Sequence, residues 1–318
     1  MILSVSRRTD IPALYSEWFF ERLRAGYFLV PSPFILNKKI ARVNVSPVRI
    51  ERNLLGAIDT NAKGEQAISD NIDGIMFWSK NPEPMIKRLS ELESLGYSKY
   101  CFLFTLNPYG AEIEQNVPPL KERIDTFKEL SSAVGADRVF WRYDPILLTS
   151  EYDASWHMNQ FEMLATQLNG YTKNCKFSFI LGKHPKLLAP TCSQKMQLAK
   201  AFADISKANG ILLETCAVEE EFSDLGISQS KCIDPEFWEE YLNAKRKSNK
   251  LDGQRKNCLC MPSVDIGIYN TCKLGCIYCY ANGFYANRGK PTCQTKTPRG
   301  AQLENIYERK IERSFNYS

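Results

Sequence analysis

Short apolar runs alternate along this chain with longer stretches whose apolar residues recur every three or four positions. Ile2 to Val5 is the first run and reads as a buried strand; it ends in a dense polar knot, Ser6-Arg7-Arg8-Thr9-Asp10. Beyond Pro12 a helical pattern runs through Trp18, Phe19 and Leu23 and stops at Gly26. Residues 27–36 and 40–45 read as extended, with Pro31, Pro33 and Pro47 as breaks, and residues 50–72 as a loop and a helix. After that the rhythm is regular. Strands are predicted at 74–78, 100–106, 139–141, 176–181, 211–213 and 263–268. The helices between them run to about Leu95 and cover about 120–134, 154–168 and 194–209. Strands alternating with amphipathic helices imply βα units and a parallel sheet. About seven strands before the last one match the eight of a (β/α)₈, TIM-like barrel, so the expected fold class is a parallel α/β barrel.

Parallel barrels build their sites from the loops at the C-terminal ends of the strands. The residues expected there are Arg7, Arg8, Asp10, Lys80, Asn107, Arg142, Asp144, Lys183 and Glu214. Buried charges require partners, which suggests Arg142 with Asp144 and Arg8 with Asp10. Arg7, Arg8, Asp10, Arg142 and Asp144 are the candidate catalytic residues. The plainer reading is that the Asp-Pro and Asn-Pro pairs start turns.

Composition narrows the classes. The chain has 318 residues, 44% of them hydrophobic and 24% charged, which suits an ordinary globular core. No apolar run reaches the length of a membrane span, and the N-terminus lacks the order of a signal peptide. With eleven cysteines, this points to a reducing cytoplasm and to thiols kept for metal. Residues 1–282 are expected to form one barrel and 283–318 a basic extension, which accounts for most of the net charge of +5. The two histidines are assigned differently: His157 to structure, His184 to the neighbourhood of the mouth. No Ser/His/Asp order, His-Glu-x-x-His or Walker-type glycine loop is present, so hydrolase, zinc-protease and P-loop readings lack support.

The cysteines change the picture most. Five fall within 257–282, and Cys272, Cys276 and Cys279 are spaced C-x₃-C-x₂-C. One short loop can aim three such thiolates at a single iron–sulfur cube, leaving the fourth iron free. A structural zinc site or a set of buried free thiols are the alternatives. Cys216, Cys232, Cys258 and Cys260 could meet and bind an auxiliary cluster, or a zinc ion in its place. Cys101 reads as core, and Cys175, Cys192 and Cys293 as incidental.

The trio, with Tyr278 just before its last cysteine, resembles the signature of radical S-adenosylmethionine (SAM) enzymes. The run Cys276-Ile277-Tyr278-Cys279-Tyr280-Ala281 is similar to the spore photoproduct lyase branch. That resemblance implies a [4Fe-4S] cluster whose open iron binds SAM, with Tyr278 near the adenine. It implies release of methionine and a 5′-deoxyadenosyl radical, an electron donor such as a reductase or flavodoxin-like protein, and no membrane partner. It also raises nucleic acid as a substrate. The cysteine loop usually follows the first strand of such enzymes; here it follows the last, as in a circularly permuted barrel. The loop after the first strand would then take the place that usually binds the SAM amine, although the usual Gly-Gly-Glu is replaced by Arg7-Arg8-Thr9-Asp10. Taken with SRRTDIPA, WSKNP and WRYDPI, these motifs resemble the domain of unknown function 1848 family, which names a chemistry class and no substrate.

Overall fold

The structure is a computed structural model that describes residues 1–31, 40–45, 68–69, 72–180, 187–243, 249–252 and 258–282. Its strands are β1 (Ile2–Val5), β2 (Tyr27–Pro31), β3 (Ile40–Asn44), β4 (Ile68–Ser69), β5 (Gly74–Ser79), β6 (Tyr100–Thr105), β7 (Val139–Ile146), β8 (Asn174–Phe179), β9 (Leu212–Thr215), β10 (Ser228–Gln229) and β11 (Ser263–Asp265). Eight of them form one sheet in the order β11-β1-β5-β6-β7-β8-β9-β10, and every pairing is parallel. The chain is therefore an α/β protein built on a parallel sheet. No ladder joins β10 to β11 among the described residues. The two edges meet outside their strands instead, where the Met261 N–H donates to the Ile233 carbonyl at 3.1 Å.

The strand count matches the sequence reading, but one of the strands is a different stretch. The extended segments at 27–36 and 40–45 stay out of the main sheet: β2 pairs antiparallel with β3, which pairs parallel with β4. The short β10, which no periodicity marks, joins the main sheet in their stead. As the permuted order requires, β11 lies directly against β1, with Ser4 opposite Asp265.

Helices α1 (Ile11–Leu14), α2 (Ser16–Ala25), α3 (Glu83–Ile86), α4 (Leu89–Ser94), α5 (Leu120–Val134), α6 (Ala154–Leu168), α7 (Cys192–Ala208) and α8 (Pro235–Leu242) complete the fold. Alternate strand residues point to opposite faces. Leu3, Val5, Phe77, Phe102, Trp141 and Phe177 face the helices and join Phe20, Phe127, Phe161 and Phe202 in the largest core. Ile2, Met76, Trp78, Cys101 and Leu103 form a second cluster on the other face with Cys216, Cys232, Trp238 and Cys260. Every residue of β5 and β6 is buried, which is why these strands read as continuous apolar runs.

Helix α8 caps the second cluster at the N-terminal ends of the strands. Asp234 caps it by accepting from the Glu236 N–H at 3.0 Å, and Pro235 opens it. Trp238 fills the space over Gly74, where a Cβ would fall 2.2 Å from the indole. Phe237 meets Phe140 at 5.3 Å, and Lys99 Nζ lies 4.6 Å over the Tyr241 ring. With that end plugged, the polar residues gather at the opposite end of the strands.

Candidate functional site

The loop after β1 and the loop after β11 are tied together by one carboxylate. Asp265 accepts from Ser4 Oγ at 3.1 Å, from Ser6 Oγ, from the Arg7 N–H at 2.8 Å and from the Gly267 N–H at 2.9 Å. The cysteine loop is clamped further on. Tyr15 Oη donates to the Thr271 carbonyl at 2.7 Å, and the Asn116 N–H donates to the Leu274 carbonyl at 2.9 Å. The Ile277 N–H reaches the Ile113 carbonyl at 3.0 Å, and Tyr280 Oη reaches the Arg7 carbonyl at 2.8 Å. Gly275 turns the chain at φ +69°, a conformation that L side chains rarely adopt.

Within this loop Cys276 is buried, and Cys272 and Cys279 are half-buried. Burial pushes the Cys272 thiol up to about 11, with Asp10 and Cys279 adding to it. Burial likewise pushes Cys276 up to about 12; Lys80 opposes this, and Glu114, Cys279 and Cys272 reinforce it. The three thiols thus lie within each other's electrostatic reach, with Asp10 acting on Cys272 and Lys80 and Glu114 on Cys276. No group of three or more His, Cys, Asp or Glu side chains stands in ready metal-ligand geometry among the described residues.

The polar ends of the strands divide into separate networks. Asp10 is a turn-former: its carboxylate accepts from Ser79 Oγ and the Lys80 N–H, both at 2.7 Å, and from the Ala13 N–H at 3.1 Å, capping α1. Burial raises its pKa to about 6 against the pull of those donors. The expected pairing of Arg8 with Asp10 is not formed, because backbone and hydroxyl donors already surround the carboxylate. Arg8 instead donates to the Gly267 carbonyl at 3.3 Å and lies 5.1 Å over the Tyr269 ring. Arg7 pairs with Asp252 at 3.0 Å and stands 4.7 Å over Trp78. Arg142 does pair with Asp144, which also accepts from Ser178 Oγ. Glu214 is engaged by Lys176 at 2.6 Å. His157 is buried, with Nδ1 2.8 Å from Tyr143 Oη and Nε2 2.8 Å from the Leu147 carbonyl, a structural role. Lys183, His184, Cys293 and the basic stretch 283–318 lie outside the described residues.

Cys216, Cys232, Cys258 and Cys260 come together elsewhere, at the open edge of the sheet. The Cys216 and Cys232 sulfurs are 3.2 Å apart. Cys260 lies within electrostatic reach of Cys232 and of Cys258. Arg142 lies within electrostatic reach of Cys216 and Cys232, and Arg7 within reach of Cys232 and Cys260.

The family model described as "Domain of unknown function (DUF1848)" matches residues 2–281. The chain belongs to this family. No curated protein matches it. Among solved structures, a variant of spore photoproduct lyase is similar at 12% identity and a TM-score of 0.31, over 46% of this chain and 52% of that one. A protein described as an α-L-fucosidase from Bacteroides thetaiotaomicron is similar at 10% identity and a TM-score of 0.30, over 52% of this chain and 63% of that one.

Two residues at the DUF1848 site escaped the sequence reading. Glu114 is fully buried and takes Lys80 Nζ at 2.7 Å, Arg123 Nη1 at 3.2 Å, Asn107 Nδ2 at 3.0 Å and the Tyr278 hydroxyl. Burial alone would raise its pKa, but Lys80 and Arg123 outweigh burial and hold it below the usual range. Arg123 carried a readable signal, a charge on the same helical stripe as Phe127, Leu130 and Val134. Glu114 carried none, since it stands in an irregular segment. Tyr278 packs beside Tyr109 at 6.3 Å, and its hydroxyl lies in this network.

Proposed function

We propose that this DUF1848 protein is a radical SAM-type iron–sulfur enzyme. Cys272, Cys276 and Cys279 would hold a [4Fe-4S] cluster through three of its irons. The observation that carries the reading is the single loop after β11, which carries all three thiols at the C-terminal end of the sheet strands. Their charged surroundings are Asp10, Lys80 and Glu114. The donor set fits, because thiolates are the ligands of such clusters and three of them leave one iron for a ligand that is not protein. Bound there, the cluster would supply the electron that cleaves the SAM sulfonium.

This chain's own residues would bind and orient. The loop after β1 abuts the cysteine loop through Asp265 and Tyr280, and Arg8, which donates to the Gly267 carbonyl, would receive an anionic group such as the SAM carboxylate. Lys80 and Glu114 hold Tyr278 from beneath. Arg142 and Asp144, which pair within β7, would offer polar contacts to the substrate.

The test is reconstitution of the full chain with iron and sulfide in the absence of oxygen, followed by dithionite and SAM. Formation of 5′-deoxyadenosine, abolished by Cys276→Ala, is expected. An intact cluster that yields none overturns the enzymatic reading. One zinc and no iron at the trio would instead make the protein a non-catalytic metal-binding one. Turnover only with an oligonucleotide present would place it beside spore photoproduct lyase in substrate class.

A further inference from the structure

We infer that Cys216, Cys232, Cys258 and Cys260 form a tetrathiolate site for a single tetrahedral metal ion, zinc by its chemistry, that staples the open edge of the sheet. The inference rests on these four residues and is independent of the radical SAM reading.

The four thiols come from three segments far apart in sequence. Cys216 follows β9, Cys232 follows β10, and Cys258 and Cys260 precede β11. They converge where the sheet lacks a ladder, beside the contact between Met261 and Ile233. The Ile233 N–H also points to Cys260 Sγ at 3.5 Å. Cys260 lies within electrostatic reach of both Cys232 and Cys258, and the Cys216 and Cys232 sulfurs are in contact at 3.2 Å.

That spacing decides between one ion and a cube. Four sulfurs at about 2.3 Å from a tetrahedral zinc stand roughly 3.8 Å from each other. Since no three of these thiols stand in ligand geometry as they are, the Cys216–Cys232 pair would part and Cys258 and Cys260 would turn inward to admit the ion, the S–H···S contact being exchanged for metal–sulfur bonds and the protons leaving to solvent. In a cubane each thiolate takes a different iron at a different corner, which holds the sulfurs well beyond contact. Soft thiolates with no oxygen or imidazole donor among them favour zinc over harder cations.

Charge supports the same reading. Four thiolates around one divalent ion leave a net charge of −2, which two guanidiniums would balance. Arg7 and Arg142 are within electrostatic reach of the sulfurs, and both stand over Trp78, at 4.7 and 6.0 Å. Arg7 Nη2 and Arg142 Nε are buried without a hydrogen-bond partner. Buried donors are rarely left unpaired, and metal-bound thiolates are acceptors of the kind that such outer donors hold in place. The ion would do at this edge what strand pairing does elsewhere, and would fix β11 and the loop that follows it.

The experiment uses the full chain carrying Cys272→Ala, Cys276→Ala and Cys279→Ala together, so that the trio contributes nothing. Purified without oxygen, it should hold one zinc per chain, with little iron. Replacing zinc by cobalt(II) should give the intense visible bands of tetrahedral coordination and the near-ultraviolet charge transfer of four thiolates. Adding Cys258→Ser, at the half-exposed end of the chain of sulfurs, should weaken zinc at least tenfold in competition with a chelator. Should that variant unfold, the cobalt spectrum of its parent decides alone. Iron with acid-labile sulfide in the parent, or no metal of any kind with four free thiols in a folded chain, overturns the inference.

Discussion

The backbone of Glu114 pairs with that of Cys276 in an antiparallel bridge, while the Glu114 carboxylate sits between Lys80 and Arg123. The cysteine loop is thus seated on a residue whose own position depends on two buried cations. Glu114→Ala would leave those cations unpaired in an apolar setting. Removing one partner of a buried ion pair costs about 3–5 kcal/mol. Urea unfolding should show a loss of that size, with m unchanged. A loss below about 1 kcal/mol would mean that the network does not hold the loop.

Gly275 sits at φ +69°, and a Cβ there would meet Gln115 Cβ at 3.0 Å. The left-handed conformation costs a residue with a Cβ about 1–2 kcal/mol. Gly275→Ala should therefore loosen the cysteine loop more than the sheet. Faster reaction of Cys276 with a thiol reagent, with little change in the main thermal transition, is the expected outcome. Unchanged labelling would show that the turn tolerates a side chain.

Trp238 and Gly74 fit each other too closely for an added methyl group. Overpacking of this kind costs about 1–3 kcal/mol. Gly74→Ala should destabilise by that amount, and a smaller ring in Trp238→Phe should recover part of it. A coupling of at least about 0.5 kcal/mol in the double-mutant cycle is expected. Additive effects would mean that α8 moves aside.

His157 supplies a pH dependence. Burial lowers its pKa to about 4, against the opposing hydrogen bond to Leu147. A folded pKa below the unfolded value of about 6.5 means that the unfolded state binds the extra proton first, so stability falls as pH drops through the window between them. From pH 7.5 to pH 5 this group should remove about 2 kcal/mol. His157→Gln, which keeps an acceptor and a donor, should flatten that slope in denaturant titrations at the two pH values. An unchanged slope would assign the acid sensitivity to other groups.

Much of this architecture was legible along the chain. The strands at 74–78 and 100–106 declared themselves because burial on both faces makes a run continuously apolar. Helices at 120–134 and 154–168 declared themselves because one stripe packs on the sheet. Helix α8 is legible in Asp234-Pro235, a cap followed by a helix opener.

The chain alone sets local matters: which stretches are strand or helix, and which loop carries three closely spaced cysteines. Packing between distant elements settled what those stretches meet. It sent residues 27–31 to a separate sheet, gave Asp10 to backbone donors instead of Arg8, and set Glu114 between Lys80 and Arg123. It also brought Cys216 into contact with Cys232, and Cys260 beside both Cys232 and Cys258. The physical reason is the range of the forces. Periodicity records a residue's environment relative to its own helix or strand, whereas a charge or a thiol is satisfied by whichever partner the packing of distant elements brings within a few ångströms.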